Sequence, residues 1–359
     1  MARRLQVIAA IVVVLPAMLR TQPAAQIRSL TDQRGKTFEF RTPAERVVAI
    51  AIPLFWTFMT VDGGSRRLVG ANPVAAAQMR AGILEKVFPG AAAVSTDIVR
   101  GGTFTPNVEA LLALKPDAVF QWADRGDTLM EVLDRVNLKA IGVKNTGHES
   151  DIDAWMRMSG VVAGRSGRAE ELITWLRGAN GRFEALTASV PVEARPKVLM
   201  LTEYSKAITA NGPTSYVDPM IRRAGGVNAA SADGGVGIEQ VLRWNPDVIL
   251  LSQFEVRTPA NMFADPLWRP VSAVQKRRVY KLPFGVTRWG GYGPESPLFL
   301  SWLTSLVQPG KFPLALRREI REAYRTLFRY DASDDDLDRI LQFAENGSTA
   351  NYAMFRAGR

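Results

Sequence analysis

The sequence contains no cysteine and a single histidine, His148, and both scarcities exclude whole classes of function. Without cysteine the chain forms no disulfide framework, iron–sulfur cluster, thiolate zinc site or cysteine nucleophile. One histidine does not supply the several imidazoles of a typical zinc or copper centre. A Ser-His-Asp triad would have to use that same residue. The chemistry that remains open favours binding over catalysis.

The net charge is strongly positive but dispersed along the chain. The 359 residues carry 45 Lys and Arg against 35 Asp and Glu, a formal net charge of +10. Basic surfaces attract nucleic acid. The densest basic segments, residues 275–278 and 316–319, are short, and the sequence contains no basic arm. We therefore expect no nucleic-acid partner.

The first 25 residues have the features of an export signal. Arg3 and Arg4 precede an apolar run at residues 7–15, and small residues at 23–25 are suited to cleavage. The run is shorter than the roughly 20 apolar residues of a membrane-spanning helix; the alternative is an uncleaved anchor. Lipid anchoring would need a cysteine. We expect a periplasmic protein, cleaved near residue 25, with 42 basic against 35 acidic residues and a net charge of +7.

Short apolar, β-branched runs alternate with helical patterns along the rest of the chain. This alternation is typical of α/β layering with parallel strands. Many of the runs are apolar throughout, as in strands that are covered on both faces. The predicted strands are residues 46–52, 67–70, 117–122, 140–144, 197–202, 247–252 and 278–282. The pattern predicts two Rossmann-like α/β lobes.

A long helix is predicted between the two sets of strands. From Leu172 to Leu186, apolar residues recur at helical spacing and form one stripe. We interpret this helix as the link between two lobes; the alternative is a covering helix of one large domain. Residues after Asn346 are expected to be loosely held. The predicted organisation is a signal peptide at 1–25, an N-terminal lobe at 26–164, a linking helix at 165–190, a C-terminal lobe at 191–312 and a helical segment at 313–359.

The most informative feature is an internal repeat. Residues 108–119, VEALLALKPDAV, reappear as residues 238–249, IEQVLRWNPDVI, at a constant offset of 130. Each copy predicts a short helix that ends at a proline, followed by a buried strand. Glu109 and Glu239 lie in the first turns, where they would complement the helix dipole. Because they occupy equivalent positions, we interpret them as paired exposed anions that bind a partner carrying cations.

The residues that flank the repeat predict its boundaries. Asn107 is suited to cap the first helix, and Gly237 to start the second. Asp117 and Asp247 are predicted turn residues that open the two strands. The two lobes are therefore expected to share one local plan.

With these motifs, the chain resembles the periplasmic binding proteins of ABC importers for ferric siderophores, haem and cobalamin. The resemblance rests on residues 30–37, 43–49, 107–117, 225–228, 238–247, 278–280 and 302–313. It implies two lobes bridged by one rigid helix, a ligand cleft between them and no enzymatic activity. It also implies that Glu109 and Glu239 dock onto arginines of the inner-membrane permease. We expect a monomer that carries a small-molecule metal chelate.

Candidate ligand-binding residues follow the predicted strands, because ligands of α/β folds collect at the carboxyl ends of parallel strands. They are Trp56, Trp122, Arg125, Tyr204, Arg288, Trp289 and Tyr292. For Trp122 a place in the core is the alternative, and Phe55 is assigned to the core. Residues 284–293 form a glycine-rich loop that we expect to be too polar and flexible for the core. Aromatic faces cover apolar ligand surface, and arginine pairs with oxygen anions.

This chemistry predicts a ferric siderophore, whose iron arrives already chelated, so that the protein needs no cofactor or metal ligand of its own. Haem is the alternative, with Tyr204 or Tyr292 as a phenolate ligand. Cobalamin is disfavoured, because Asp233 lies where cobalamin-binding relatives carry a tryptophan. His148 is assigned to a surface loop. A two-lobed exported enzyme, such as a glycosyltransferase, is a further alternative, for which the sequence offers no matched nucleophile and base.

Overall fold

The computed structural model describes residues 27–78, 82–100, 104–291 and 293–356, so the predicted signal peptide lies outside the described residues. The strands are β1 (Arg28–Thr31), β2 (Thr37–Phe40), β3 (Val47–Ala49), β4 (Leu68–Ala71), β5 (Ala118–Trp122), β6 (Ala140–Val143), β7 (Lys197–Glu203), β8 (Ile208–Ala210), β9 (Val227–Asn228), β10 (Gly234–Val236), β11 (Val248–Leu251) and β12 (Val279–Lys281). The helices are α1 (Ile52–Asp62), α2 (Pro73–Gln78), α3 (Leu84–Val87), α4 (Val108–Ala113), α5 (Thr128–Arg135), α6 (Glu149–Ala163), α7 (Ser166–Thr187), α8 (Val217–Arg223), α9 (Ile238–Trp244), α10 (Pro259–Ala264), α11 (Ser272–Gln275), α12 (Ser296–Val307), α13 (Leu316–Phe328), α14 (Asp334–Ile340) and α15 (Phe343–Asn346).

Two separate sheets form the two lobes. The first has strand order β4-β3-β5-β6, with all neighbours parallel. In the second, of order β10-β8-β7-β11-β12, the pairs of β11 are parallel, and β8 and β10 add an antiparallel edge. The predicted α/β fold with two lobes is confirmed, and all seven predicted strands are present with ends shifted by a few residues. The residue boundaries assigned to the lobes stay a prediction.

The internal repeat is preserved down to the backbone. In both copies a short helix, α4 or α9, precedes a strand whose residues are all buried. The residue before each proline adopts left-handed dihedral angles, with φ of 45° at Lys115 and 43° at Asn245. Asn107 caps α4 by accepting a hydrogen bond from the backbone of Ala110, and Gly237 is the N-cap of α9. The two lobes therefore share the local plan that the sequence predicts.

Asp117 and Asp247 tie each repeat to the neighbouring strand. One oxygen of Asp117 accepts the backbone N–H groups of Glu45 and Arg46 at 2.8 and 2.9 Å, just before β3. Asp247 accepts the N–H of Lys197, at the start of β7, at 3.0 Å. Both aspartates therefore accept hydrogen bonds from backbone donors at the amino end of a neighbouring strand. This is the role expected of turn residues that precede a strand.

The helix α7 runs as one continuous element between the two sheets and packs on α6 and α12. It buries the apolar stripe that includes Leu172, Leu176 and Phe183, while Gly178 and Gly181 are exposed. No helix in the described ranges has both the length and the apolar character needed to span a membrane.

Polar contacts join the lobes beside α7. The carboxylate of Glu149, the first residue of α6, accepts hydrogen bonds from Asn180 of α7 at 2.5 Å and from Arg223 of α8 at 2.8 Å. Asn180, which is fully buried, also donates to Ser296 of α12 at 3.1 Å. These contacts fix the start of α6 relative to the second lobe.

The expectation that residues after Asn346 are loosely held is wrong for residues 347–356, the part of this segment that the structure describes. The side chain of Tyr352 is buried; its hydroxyl donates to the carbonyl of Leu341 at 2.5 Å and accepts the indole N–H of Trp302 at 3.1 Å. Ala350 donates its N–H to Arg277 at 2.8 Å. The aromatic residues Tyr352 and Phe355, both buried, anchor this segment.

Asp336 of α14 connects the C-terminal helices to the first lobe. Its carboxylate accepts hydrogen bonds from Lys86 at 2.5 Å, Ser333 at 2.8 Å and Tyr330 at 2.9 Å. Burial by itself would raise the pKa of Asp336, but these hydrogen bonds outweigh it and hold the pKa at about 2. The charged carboxylate therefore stabilises the folded chain.

Replacing the strand-opening aspartates should weaken the fold. Asp117→Ala removes the acceptor of two solvent-exposed backbone donors, which water can replace in part, and should lower the free energy of unfolding by about 0.5–1.5 kcal/mol. Asp247→Ala, which removes one such bond, should cost less. Urea titration followed by circular dichroism measures both values. Equal stability of Asp117→Ala and the unaltered protein would contradict this assignment.

Acid should remove the contribution of Asp336. Because its folded pKa is depressed, the stabilisation is complete above the unfolded pKa of about 3.9 and is lost as the pH falls from about 4 towards 2. In Asp336→Asn, the free energy of unfolding should be lower at pH 7 and fall less steeply over that interval. Urea titrations at pH 7, 4 and 3 compare the two slopes; parallel slopes would contradict the prediction.

Candidate functional site

A cavity of about 340 Å³ lies between the two lobes. The first lobe contributes Pro53, Trp56, Asn145, His148, Asp151 and Trp155. The second lobe contributes Met200, Thr202, Asn211, Tyr216, Ser252, Gln253, Phe254, Thr287, Arg288, Trp289, Gly291 and Gly293. Small-molecule pockets typically enclose about 300–1,000 Å³, so this cavity suits a compact ligand.

The topology explains why these residues meet. The first-lobe residues follow β3 and β6, and most second-lobe residues lie at or after the carboxyl ends of β7, β11 and β12. The carboxyl ends of both parallel sheets therefore face the same space. This is the arrangement in which open α/β sheets bind ligands.

Aromatic rings form much of the cavity wall. Trp56, Trp155 and Trp289 are buried, whereas Phe254 is 49% exposed. The ring of Tyr216 lies so close to Gly291 that a Cβ at that glycine would come within 2.8 Å of Tyr216 Cε2. Glycine at 291 therefore allows the tyrosine to pack against the loop that follows β12.

Arg288 gives the cavity an uncompensated positive charge. Its guanidinium lies 4.0 Å from the ring centre of Phe254. Its Nε is buried without a hydrogen-bond partner, and none of the described carboxylates forms an ion pair with it. Burial lowers the pKa of Arg288, and the nearby Tyr216 opposes this shift. Arginine remains protonated in proteins, so the charge persists.

Several other polar groups of the cavity already have partners. The carboxylate of Asp151 accepts the N–H of Thr146 at 2.6 Å and its hydroxyl at 3.0 Å. Thr202 accepts hydrogen bonds from Ser252 at 2.7 Å and from Asn211 at 2.9 Å. Among the described cavity residues, Arg288 thus carries a desolvated charge without an ion-pair partner.

The structure brings three of the predicted ligand residues together, since Trp56, Arg288 and Trp289 all line the cavity. Tyr292 lies outside the described residues. Trp122 is buried, and its ring packs edge-on against Trp155 at 6.1 Å.

Arg125 lies over Trp122, with its guanidinium carbon 4.7 Å from the ring centre. Neither Trp122 nor Arg125 lines the cavity, and they form a layer behind Trp155. A ligand contact for either residue stays a prediction.

Tyr204 is not among the residues that line the cavity. Its ring packs edge-on against Trp268 at 5.5 Å, in the core of the second sheet. Its backbone N–H and that of Ser205 donate to Glu255 at 2.5 and 2.9 Å, which turns the chain at the end of β7. Burial raises the pKa of Tyr204, so the side chain remains a neutral phenol. The geometry does not favour Tyr204 as a phenolate ligand of haem.

The loop of residues 284–293 is mostly buried, so the expectation that it is too polar for the core is wrong, although five of its residues line the cavity. Apart from the undescribed residue 292, only Arg288 and Gly291 are partly exposed. Phe284 donates its N–H to Ile340 at 2.8 Å, and Gly285 accepts the N–H of Ile83 at 3.1 Å. The apolar side chains of Phe284, Val286 and Trp289 are buried, and they anchor the segment despite its glycines.

Most cavity residues are not among the predicted ligand residues, and His148, Tyr216 and Phe254 are three such residues whose side chains suit ligand binding. His148 is the N-cap residue of α6 and follows β6; Phe254 follows β11. Both residues could have been predicted, because ligand-binding residues follow the carboxyl ends of parallel strands. Tyr216 precedes α8, beyond the antiparallel edge strand, where that rule gives no signal.

The paired glutamates are both exposed. Glu109 lies in the first turn of α4 and Glu239 in that of α9, and neither forms an ion pair with a described residue. One turn later, Leu112 and Leu242 are 45% and 36% exposed. Each lobe therefore presents an acidic and an apolar side chain at equivalent positions.

Comparisons with known proteins agree with this architecture. Residues 71–285 match the periplasmic binding protein family. A periplasmic solute binding protein of Veillonella parvula DSM 2008 superposes with a TM-score of 0.81 at 30% identity, over 90% of this chain and 99% of that one.

Two relatives are named for the ligands that they bind. The molybdate-binding protein MolA of Haemophilus influenzae is 22% identical over 65% of this chain and 73% of its own length. The Fe(3+)-citrate-binding protein YfmC of Bacillus subtilis is 23% identical over 70% of this chain and 77% of its own length. The relatives are binding components of ABC importers rather than enzymes. The chain belongs to the periplasmic binding protein family.

Proposed function

We propose that this protein captures an anionic metal chelate, a ferric siderophore, in the cavity between its lobes and delivers it to the permease of an ABC importer. The observation that carries the proposal is the half-buried guanidinium of Arg288, which has no ion-pair partner among the described residues. Burying a charge is costly unless an opposite charge compensates it. An anionic ligand would supply that compensation. MolA and YfmC, which bind molybdate and ferric citrate, agree with an anion.

The walls of the cavity favour an organic chelate over a bare oxyanion. An oxyanion is best held by many free hydrogen-bond donors, but several polar groups here are bonded to one another. Aromatic faces instead cover flat, apolar ligand surface. A chelate with carboxylate or catecholate oxygens could pair with Arg288 and place its organic part against Trp56, Trp155 and Trp289. The cavity volume of about 340 Å³ favours a compact chelate.

Haem is the second candidate, because of two cavity residues. His148 and Tyr216 line the same space from opposite lobes, and imidazole and phenolate are both axial ligands of haem iron. Binding of haem would produce a strong Soret band that changes in His148→Ala. Binding of a ferric siderophore would leave His148 dispensable.

Delivery to the permease is assigned to Glu109 and Glu239. Both carboxylates are exposed and lie at equivalent positions of the repeat, one in each lobe. The exposed Leu112 and Leu242 extend each contact with an apolar side chain. A partner with two similar sites, each with a cation beside an apolar surface, would complement this face.

Removing the guanidinium of Arg288 should weaken ligand binding. Purified protein would be titrated with ferric citrate, a ferric catecholate, a ferric hydroxamate, molybdate and haem while tryptophan fluorescence is followed. We expect a ferric chelate to quench the cavity tryptophans. In Arg288→Ala its affinity should fall about 10- to 100-fold, as for the loss of a charged hydrogen bond worth about 1.5–3 kcal/mol.

Arg318→Ala is the matched control, since that side chain is 73% exposed on α13. Its affinity should equal that of the unaltered protein. If no compound binds, the proposal fails. Binding of molybdate alone would support an anion site and exclude the chelate.

Reversing the charge of both docking glutamates should abolish transport without affecting ligand capture. The double variant Glu109→Lys/Glu239→Lys should reduce cellular uptake of the radiolabelled chelate to background, while its affinity in solution is unchanged. Glu184→Lys/Glu193→Lys, at exposed positions elsewhere, is the control and should transport normally. Loss of chelate affinity in the first double variant would show that these glutamates serve the fold or the cavity instead.

A further inference from the structure

A buried carboxylate lies directly behind the loop that carries Arg288. Glu295 is 1% exposed and is the N-cap residue of α12. One of its oxygens accepts both the backbone N–H and the hydroxyl of Thr287, at 2.5 and 2.8 Å. The other accepts the hydroxyl of Tyr324, in α13, at 2.5 Å. No Lys or Arg of the described ranges forms an ion pair with this carboxylate.

Tyr324 extends the contact to the next residue of the loop. Its hydroxyl, which donates to Glu295, accepts the backbone N–H of Val286 at 3.2 Å. The side chain is fully buried between α13 and the loop. Two successive backbone donors, at Val286 and Thr287, are therefore satisfied by side chains that come from outside the loop. Arg288 is the next residue along the chain.

The environment of Glu295 suits a carboxylate. Every group that contacts its two oxygens is a donor, and an ionised carboxylate is a pure acceptor. A glutamine could keep its oxygen towards Thr287, but its NH₂ group would then face the Tyr324 hydroxyl, which would have to accept instead of donate and would compete with the N–H of Val286. Burial raises the pKa of Glu295, and the hydrogen bonds from Tyr324 and Thr287 oppose that shift.

The loop packs directly against Glu295 and Tyr324, with no space left at Gly285. A Cβ at Gly285 would lie 2.0 Å from Glu295 Oε1 and 2.1 Å from the hydroxyl of Tyr324. The absence of a side chain at Gly285 lets the loop approach the carboxylate and the phenol. On its other side the loop is fixed by the hydrogen bond from Ile83 to Gly285, at 3.1 Å.

We propose that Glu295 and Tyr324 are positioning residues for Arg288: they fix the backbone at residues 286 and 287 so that the guanidinium stays in the cavity instead of turning to solvent. This inference rests on the proposed binding of an anion by Arg288. It assigns a role in ligand binding to α12 and α13, which lie beyond the matched residues 71–285.

Two variants test the proposal, and a third serves as control. Glu295→Gln and Tyr324→Phe each remove part of the support. Tyr352→Phe removes an equally buried hydroxyl, which donates to Leu341 away from the cavity. The midpoint of thermal unfolding is measured for all three, so that effects on affinity are compared between variants that remain folded.

The first readout needs no ligand. Hydrogen exchange of a peptide that covers Val286 and Thr287 should be at least 10-fold faster in Glu295→Gln and Tyr324→Phe than in the unaltered protein, and unchanged in Tyr352→Phe. Unchanged exchange in the first two variants would overturn the proposal, whatever the protein binds.

The second readout is affinity for ferric citrate, measured by tryptophan fluorescence. Each support variant should lose about 10-fold in affinity when Arg288 is present and nothing further when it is combined with Arg288→Ala. An equal additional loss in the Arg288→Ala background would overturn the assignment to Arg288. If the unaltered protein does not bind ferric citrate or any other chelate, the proposed function fails, and hydrogen exchange alone decides whether the support holds the loop.

Discussion

The structure of the cavity depends on one unbalanced charge, the guanidinium of Arg288. The group stays protonated, lies against the ring of Phe254 and has no counter-ion among the described residues. On a mobile loop, such a side chain would turn to solvent and recover its hydration. The loop that follows β12 is held by hydrogen bonds on several sides and is mostly buried. A fixed loop and an unpaired charge together are the basis of our proposal that the site binds an anion.

The two-lobed fold determines where this site lies, and a few side chains determine what it binds. Parallel strands in both sheets direct their carboxyl ends to the same space, so the cavity follows from the topology. The charge, the aromatic walls and the packing of Tyr216 against Gly291 depend on individual residues. The function therefore depends on those residues, and the fold alone does not determine it.

Local patterns were sufficient to predict the repeated unit. The helix, proline and strand recur because in each lobe a short helix has to end directly before a buried strand. Lys115 and Asn245 both precede a proline and both adopt left-handed backbone dihedral angles, so the backbone conformation is repeated as well. Trp56 and Arg288 were found by the rule of strand ends, which needs only the strands to be located correctly.

The remaining features depend on contacts that are distant in sequence. Tyr204 follows β7 as the rule requires, but Glu255, about 50 residues away, binds its backbone and directs the ring towards Trp268. Similarly, the segment of residues 347–356 packs against the rest of the fold because Tyr352 is hydrogen-bonded to Trp302 and Leu341. Such pairings are set by tertiary packing, which neither composition nor periodicity encodes.

The C-terminal helices bear on how rigid the cavity is. The loop that carries Arg288 receives support from the first lobe at Ile83, from Ile340 at the end of α14, and from Glu295 and Tyr324. Lys86, in the same first-lobe segment as Ile83, binds Asp336 of α14. These contacts connect both lobes and the C-terminal segment to a single loop. A loop fixed before the ligand arrives loses little conformational entropy on binding, so its supports contribute to affinity although they do not contact the ligand.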